Sequence, residues 1–176
     1  MPGEVDRASA SSLGDRHGGA LAPVVDPAIR LLMLGSLPGT ASLAAARYYA
    51  HPRNQFWRLM ATVVGRPLPE MGYEHRLAAL LEAGIGLWDV IGSAQRRGSL
   101  DAAIRSPVAN DLPALVSELP HLRAIGFNGG KAASLGRRIV TGPNPPEMIC
   151  LPSSSAALTV SIETKQAAWA RLRDFL

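Results

Sequence analysis

The sequence predicts an α/β protein of three layers, α/β/α, in which helices cover both faces of a four-stranded, mostly parallel β-sheet. Short apolar runs that end at a turn-forming residue alternate with longer amphipathic stretches, which is typical of βα units. The chain has 176 residues, of which 47% are hydrophobic, and a chain of this length supports one hydrophobic core. We therefore expect one folded domain.

Two parts of the chain differ in composition. Residues 1–28 mix Gly, Ser, Ala and charged residues without a strand or helix period, which predicts a mobile leader. Residues 29–176 carry the periodic segments and are expected to form the single domain.

The predicted strands are apolar runs that stop at Gly, Asn or Pro, as the first does at Gly35 and the last at Pro152. In chain order they are 29–34, 85–91, 122–127 and 148–151.

The predicted helices are amphipathic segments between these strands. The first ends at Gly65, a residue type that commonly terminates helices, and Asp111 is placed to cap the third. In chain order they are 54–64, 73–83, 112–119, 131–140 and 163–175.

The composition excludes several kinds of site. Cys150 is the single cysteine, so the chain has no disulfide framework of its own, no four-cysteine zinc site and no cysteine-ligated iron–sulfur cluster. The 4 histidines are scattered without metal-ligand spacing. We expect neither a metal nor a cofactor.

The formal net charge of +4 comes almost entirely from arginine, since Lys131 and Lys165 are the only lysines. Arginine binds phosphate in a bidentate manner, so this charge permits a nucleic-acid partner without proving one. No apolar run approaches the roughly 18 residues of a membrane span, and the N-terminus lacks the apolar stretch of a signal peptide. The sequence therefore predicts a cytoplasmic protein with no membrane partner.

Two loops follow predicted strands at the place where open α/β sheets bind ligands. The first loop reads GSLPGT at 35–40, and the last loop reads LPSSSAA at 151–157. The first loop has neither the third glycine of a dinucleotide fingerprint nor the Gly-Lys-Ser/Thr of a Walker loop. It is either an ordinary turn or, together with the last loop, part of a surface whose amides and hydroxyls hold phosphate.

Five segments occur in an order and spacing similar to those of a known family. They are GSLPG at 35–39, YYAHPRNQFW at 48–57, GIGLWDV at 84–90, GFNG at 126–129 and LPSSS at 151–155. Together they resemble the uracil-DNA glycosylase superfamily, in its hypoxanthine-DNA (deoxyinosine) glycosylase branch, over residues 29–176. The Tyr-Tyr-x-His-Pro-Arg-Asn-x-Phe-Trp string is the specific part.

The resemblance implies a monofunctional glycosylase that flips hypoxanthine or uracil out of DNA and hydrolyses its N-glycosidic bond, which initiates base excision repair. Better-known branches orient the attacking water with an Asp or Asn where this chain has Leu37, and stabilise the leaving base with a histidine where it has Leu151. Asn54 is then the implied catalytic residue, positioning the water through its side-chain oxygen. The alternative role for Asn54 is to cap the helix that follows it.

The resemblance also implies the residues that hold the base. Tyr49 would stack on the flipped base, with core packing as the alternative and Tyr48 as the better core residue. Asp89 would accept the N1–H of hypoxanthine or the N3–H of uracil, with helix capping or a salt bridge as the alternative. Gly35 and Ser36 would complete the base pocket.

The remaining predicted site residues would contact DNA. They are Pro38, Gly39, His51, Arg53, Lys131, Pro152, Ser153, Ser154 and Ser155. Arg96 and Arg97 are further candidates for phosphate contacts, and Leu158 is a candidate apolar plug between base pairs. For each basic residue, a solvated surface charge is the alternative.

Two other functions remain open at this point. Because Leu37 and Leu151 replace two groups used in catalysis, the chain could be a weakly catalytic or non-catalytic DNA-binding relative. An unrelated α/β hydrolase with Ser36 or a serine of the last loop as nucleophile is the second, although no Gly-x-Ser-x-Gly elbow is present. A lyase is not expected, because no suitable lysine lies near the site loops to form a Schiff base, and Lys131 is the one lysine to exclude. We expect a monomer that associates with the nucleoid through DNA.

Overall fold

The computed structural model describes residues 16–18, 20–96 and 98–176. Its strands are β1 (Arg16–Gly18), β2 (Leu31–Gly35), β3 (Ile85–Asp89), β4 (Ile91–Gln95), β5 (Arg105–Ala109), β6 (Ala124–Asn128) and β7 (Glu147–Leu151). Its α-helices are α1 (Thr40–Ala45), α2 (Phe56–Val64), α3 (Tyr73–Glu82), α4 (Leu112–Ser117), α5 (Gly130–Ile139) and α6 (Ile162–Trp169). Short 3₁₀ turns lie at Leu68–Glu70, Asp101–Ala103 and Ala170–Phe175.

The central sheet has four strands in the order β3-β2-β6-β7, and every neighbouring pair is parallel. Its register aligns Gly35 of β2 with Asp89 of β3, and Asn128 of β6 with Leu151 of β7. The carboxyl ends of all four strands therefore meet at one edge. The predicted four-stranded parallel sheet is confirmed.

Helices cover both faces of this sheet, as predicted, because alternate residues of each strand point to opposite sides. Leu31 and Met33 of β2 pack in one buried cluster with residues of α2, α3 and α6. Leu32 and Leu34 pack in a second cluster with residues of α4 and α5. Three layers, α/β/α, result.

A second, antiparallel sheet in the order β1-β4-β5 was not predicted. The predicted strand 85–91 is in fact two strands, β3 and β4, separated at Val90. The backbone N–H of Val90 donates to the carbonyl of Gly35 at 2.8 Å, and that of Ile91 to the carbonyl of Ser36 at 2.9 Å. The chain thus passes from one sheet to the other directly beside the first loop. Apolar residues continue on both sides of Asp89, so the sequence shows no turn signal at this point.

The chain before residue 29 contributes more to the fold than the composition predicted. Val24 forms an antiparallel bridge with Leu87 of β3, and the hydroxyl of Tyr48 donates to the carbonyl of Ala22 at 2.9 Å. The packed part of the chain therefore begins before residue 29, while residues 1–15 and 19 lie outside the described residues. Among the helices that the structure describes, none has the length and apolar character needed to span a bilayer.

Candidate active site

A cleft of about 610 Å³ opens at the carboxyl edge of the parallel sheet. It is lined by the first loop and the start of α1, by residues of the Tyr-Tyr-x-His-Pro-Arg-Asn string, by 99–101 and by 153–158, with Asp89 and Asn128 at its floor. Most of the predicted site residues meet here. Pro152 and Lys131 do not line the cleft.

Asn54 joins a hydrogen-bond network that connects three separate segments. Its Oδ1 accepts from the hydroxyl of Ser154 at 2.9 Å. The side chain of Asn128 in turn donates from Nδ2 to Ser154 Oγ and accepts from the Ser154 backbone N–H at Oδ1, both at 2.8 Å. Ser154 is only 1% exposed. These contacts fix the last loop against the strand end of β6.

The same oxygen of Asn54 also accepts from the backbone N–H of Phe56 at 2.9 Å, at the start of α2. The N-cap of α2 is Gln55, so Asn54 does not hold the capping position weighed as its alternative, but from one residue earlier it still satisfies the first N–H of the helix. With both lone pairs of Oδ1 engaged, the geometry does not leave this oxygen free for a water, which corrects the expected mode of water binding. The Nδ2 amide of Asn54 is the group that remains for one.

Asp89 is a buried carboxyl at the floor of the cleft. Its side chain is 3% exposed, and its Oδ2 has no hydrogen-bond partner among the described residues. Burial raises the pKa of Asp89 from an ordinary 3.8 to about 7, with Arg96 opposing the rise and Asp101 adding to it. The carboxyl is therefore poised between its acid and its carboxylate near neutral pH.

Tyr49 lies beside Asp89 in a strained backbone conformation, with φ of 52°. Its ring stacks on Phe56 with centroids 3.7 Å apart and an interplanar angle of 11°. Tyr48 is instead the core residue of the pair, 4% exposed, as expected. One face of the Tyr49 ring is thus covered by protein.

Ser36 and Arg96 hold the first loop in shape. Ser36 Oγ donates to Asp101 at 2.5 Å, and the guanidinium of Arg96 donates to the carbonyls of Leu37 and Pro38. Arg96 is 4% exposed, so the expected phosphate contact of this residue is replaced by a structural one. Arg97 lies outside the described residues.

Some of the other predicted DNA contacts lie on the exposed rim of the cleft, but Pro38 and Ser154 are buried, which does not fit the direct DNA contact expected of them. Arg53 and His51 are exposed, and His51 Nδ1 accepts from the backbone N–H of Arg53 at 3.1 Å. Ser153 Oγ accepts from the Ser155 backbone N–H at 3.1 Å, which shapes the last loop. Leu158 is 36% exposed at the end of that loop.

The other edge of the first loop contacts the segment that follows β4. Gly39 lies against the side chain of Ser99, where an added Cβ would stand 3.3 Å from the hydroxyl. The next backbone N–H, that of Thr40, donates to the same hydroxyl at 3.1 Å. The first loop is therefore fixed from both sides.

Lys165 was missed by the sequence reasoning. It is 0% exposed, and its Nζ donates to Gln55 Oε1 at 2.8 Å and to the Ser155 carbonyl at 3.1 Å. Burial lowers its pKa. Lys165 thus joins the last loop to the residue after Asn54, and no motif around it signals this contact. Lys165 is therefore bonded to a site loop, whereas Lys131 does not line the cleft.

The hydrogen bonds do not support a serine hydrolase. Ser36 donates to Asp101, and Ser154 donates to Asn54. Neither hydroxyl donates to a histidine, which a serine nucleophile needs as its base.

Comparisons with known proteins identify the family of this fold. A sequence model of the Uracil DNA glycosylase superfamily matches residues 22–173. A hypoxanthine DNA glycosylase of Methanosarcina barkeri is 37% identical over 148 residues, which is 84% of this chain and 92% of that protein. One of Methanosarcina acetivorans is 38% identical over 146 residues, or 83% and 91% of the two chains.

A solved structure is similar as well. It is a solution NMR structure of a Methanosarcina acetivorans protein assigned to the uracil DNA glycosylases, with a TM-score of 0.78, 36% identity, and coverage of 90% of this chain and 98% of that one. The protein belongs to the uracil DNA glycosylase superfamily.

Proposed function

We propose that the protein is a monofunctional DNA glycosylase that hydrolyses the N-glycosidic bond of deaminated bases, hypoxanthine or uracil, in DNA, and so initiates base excision repair. The observation that carries this is the buried, unpartnered carboxyl oxygen of Asp89 on the floor of the cleft. Native proteins seldom leave such a group without a partner, and a catalytic role is one of the reasons for which they retain it. The relatives named hypoxanthine DNA glycosylases support the same substrate class.

The cleft suits a base that has left the DNA helix. Its volume of about 610 Å³ falls within the range of small-ligand pockets, and it opens between two loops on the exposed rim. An enzyme that acts on a base inside a duplex must first turn that base out into such a pocket.

The chemistry requires an oriented water and stabilisation of a departing base. As the bond breaks, positive charge develops on the sugar and negative charge on the base. Asn54 cannot act as a general base at neutral pH, because it is an amide; its Nδ2 donates to the water and fixes its position. Hypoxanthine and uracil leave more readily than the normal bases, so positioning of the water is the main requirement.

Asp89 selects the base. Its carboxylate accepts the N1–H of hypoxanthine or the N3–H of uracil and repels the bare ring nitrogen that adenine presents at the same position. Because the pKa of Asp89 lies at about 7, base capture increases as the pH rises through this value.

DNA contacts extend from the rim of the cleft. Arg53 is exposed and free to pair with a phosphate, and His51 stands beside it. Leu158, 36% exposed at the end of the last loop, fills the gap left by the flipped base. We expect the protein to act as a monomer on nucleoid DNA.

The absence of lyase activity follows from the position of the lysines. A lyase needs an accessible amine to form a Schiff base with the abasic sugar. Lys165 is 0% exposed and donates to two acceptors, and Lys131 does not line the cleft.

The test is an excision assay on duplex oligonucleotides that carry inosine, uracil, xanthine or only normal bases. We expect alkali-sensitive sites with inosine or uracil and an intact strand before alkali. Strand breaks without alkali would contradict monofunctional chemistry. Tight binding of an abasic duplex without any excision would identify a binding protein instead.

A further inference from the structure

Ser154 is buried, and its hydroxyl is enclosed between two amide side chains. The residue is 1% exposed. Its Oγ lies 2.8 Å from Nδ2 of Asn128 and 2.9 Å from Oδ1 of Asn54. A contact with DNA does not explain this hydroxyl, and its two partners indicate a role inside the protein.

Backbone groups fix the direction of each hydrogen bond around Ser154. Its backbone N–H can only donate, so the atom of Asn128 that faces it at 2.8 Å is the acceptor Oδ1, and the other end of that amide is the donor Nδ2. This Nδ2 donates to Ser154 Oγ. The single hydroxyl proton of Ser154 is therefore left for Oδ1 of Asn54.

The amide of Asn54 is held in one orientation in the same way. Its Oδ1 accepts from the backbone N–H of Phe56 at 2.9 Å as well as from the hydroxyl of Ser154. A turn of the amide by half a revolution would set Nδ2, itself a donor, against these two donors. Both contacts therefore oppose that turn.

Nδ2 of Asn54 consequently faces the cleft. Asn54 is half-buried and lines the cleft, and the described residues give its Nδ2 no hydrogen-bond partner. The buried side-chain atoms without a partner belong to Tyr49 and Asp89, so this nitrogen is not closed to solvent. It is open at the place where the attacking water is needed.

One contact alone would not fix this amide. The last torsion of an asparagine side chain has a broad energy minimum, so a single hydrogen bond to Phe56 leaves the amide plane free to rock about that bond. The hydroxyl of Ser154 supplies the second anchor.

The backbone of the last loop is held independently of this hydroxyl. The carbonyl of Ser154 accepts from the backbone N–H of Gln55 at 2.9 Å, and the carbonyl of Ser155 accepts from Lys165 at 3.1 Å. Removal of the hydroxyl should therefore leave the loop in place and release the amide of Asn54.

We propose that Ser154 is a positioning residue: with the direction of its proton set by Asn128, its hydroxyl turns the amide of Asn54 so that Nδ2 holds the attacking water. This role rests on the proposed glycosylase function, and Ser154 itself touches neither the base nor the water. Without the hydroxyl, the amide no longer keeps the water in the reactive geometry. The rate of bond cleavage should fall, while the affinity for DNA stays nearly the same.

The test is a double-mutant cycle on a duplex that carries one inosine, under single-turnover conditions. Ser154→Ala should slow excision roughly 10- to 100-fold with near-normal binding of an abasic duplex. In the Asn54→Ala background, Ser154→Ala should change the rate by less than about twofold, because the side chain through which it acts is absent. An equal loss in both backgrounds would overturn the positioning role in favour of loop packing.

Two further variants complete the cycle. Ser154→Thr keeps the hydroxyl and should excise at close to the wild-type rate. Ser117→Ala is the matched control, because Ser117 lies outside the cleft lining and its hydroxyl donates to the carbonyl of Ala114 within α4. Its excision rate should equal that of the wild type.

The positioning role and the glycosylase function can fail separately. A normal rate in Ser154→Ala would overturn the positioning role. So would a Ser154→Thr that is as stable to urea as the wild type and nevertheless as slow as Ser154→Ala. A wild type that releases no base from inosine, uracil or xanthine would instead refute the glycosylase function itself.

Discussion

Replacing Asp89 by Asn should stabilise the fold while it impairs base selection, because the buried carboxyl is retained at a cost to stability. The pKa of Asp89 rises from 3.8 when exposed to about 7 in the folded chain. A shift of this size corresponds to about 4 kcal/mol at 1.36 kcal/mol per pKa unit. Between pH 3.8 and about pH 7, the folded state therefore holds a proton that the unfolded state has already lost.

The direction in which stability changes with pH follows from that difference in proton binding. Since the folded chain binds more protons over this range, its free energy of unfolding falls as the pH rises through it. Arg96 limits the loss and Asp101 increases it. We expect the free energy of unfolding of Asp89→Asn to exceed that of the wild type by less than about 1 kcal/mol near pH 4 and by up to about 4 kcal/mol near pH 8.

Urea unfolding of both proteins across this pH range measures the effect. Asp111→Asn is the matched control, because Asp111 caps α4 through Ala114 on the surface and asparagine caps equally well. A stability difference between Asp89→Asn and wild type that stays constant with pH would refute the raised pKa. A destabilised Asp89→Asn at pH 8 would show that the carboxylate has a partner in the fold.

Further variants separate catalysis, DNA contact and packing. Asn54→Ala should lower the excision rate by roughly 100- to 1000-fold with near-normal binding of an abasic duplex, whereas a normal rate would restrict Asn54 to satisfying the first N–H of α2. Arg53→Ala should reduce the slope of log affinity against log salt by about one unit, and an unchanged slope would make Arg53 a solvated surface charge. Lys165→Met should lower the free energy of unfolding by about 2 kcal/mol, because it leaves the acceptors of Gln55 and Ser155 unpaired; an unchanged stability would contradict the bridging role. Borohydride reduction during the reaction should trap no protein–DNA adduct, and a trapped adduct would assign Lys165 or another amine to lyase chemistry.

The parallel sheet and the assembly of the cleft could be predicted from sequence because both depend on local patterns. Each strand is an apolar run with a clear end, and strands of one parallel sheet bring the segments that follow them to one edge. Asp89 and the segment that begins at Gly35 therefore meet although they are far apart in the chain.

The antiparallel sheet and the buried charges could not be predicted in the same way. Strand β5 is exposed at every position, so it has no alternation of apolar and polar residues to reveal it. Arg96 and Lys165 resemble surface charges in sequence, and only their buried acceptors, which come from distant segments, show their roles. The double use of Asn54 Oδ1 depends equally on Ser154, 100 residues away.

The most direct measurement identifies the products released from a duplex that carries a single inosine. Chromatography with mass detection should find free hypoxanthine and an intact strand with one abasic site in equal amounts, and the yield should rise as the pH increases through about 7, where Asp89 ionises. Release of the nucleoside or nucleotide, conversion of the base without its release, or no product from inosine, uracil or xanthine would contradict hydrolysis of the N-glycosidic bond by this cleft.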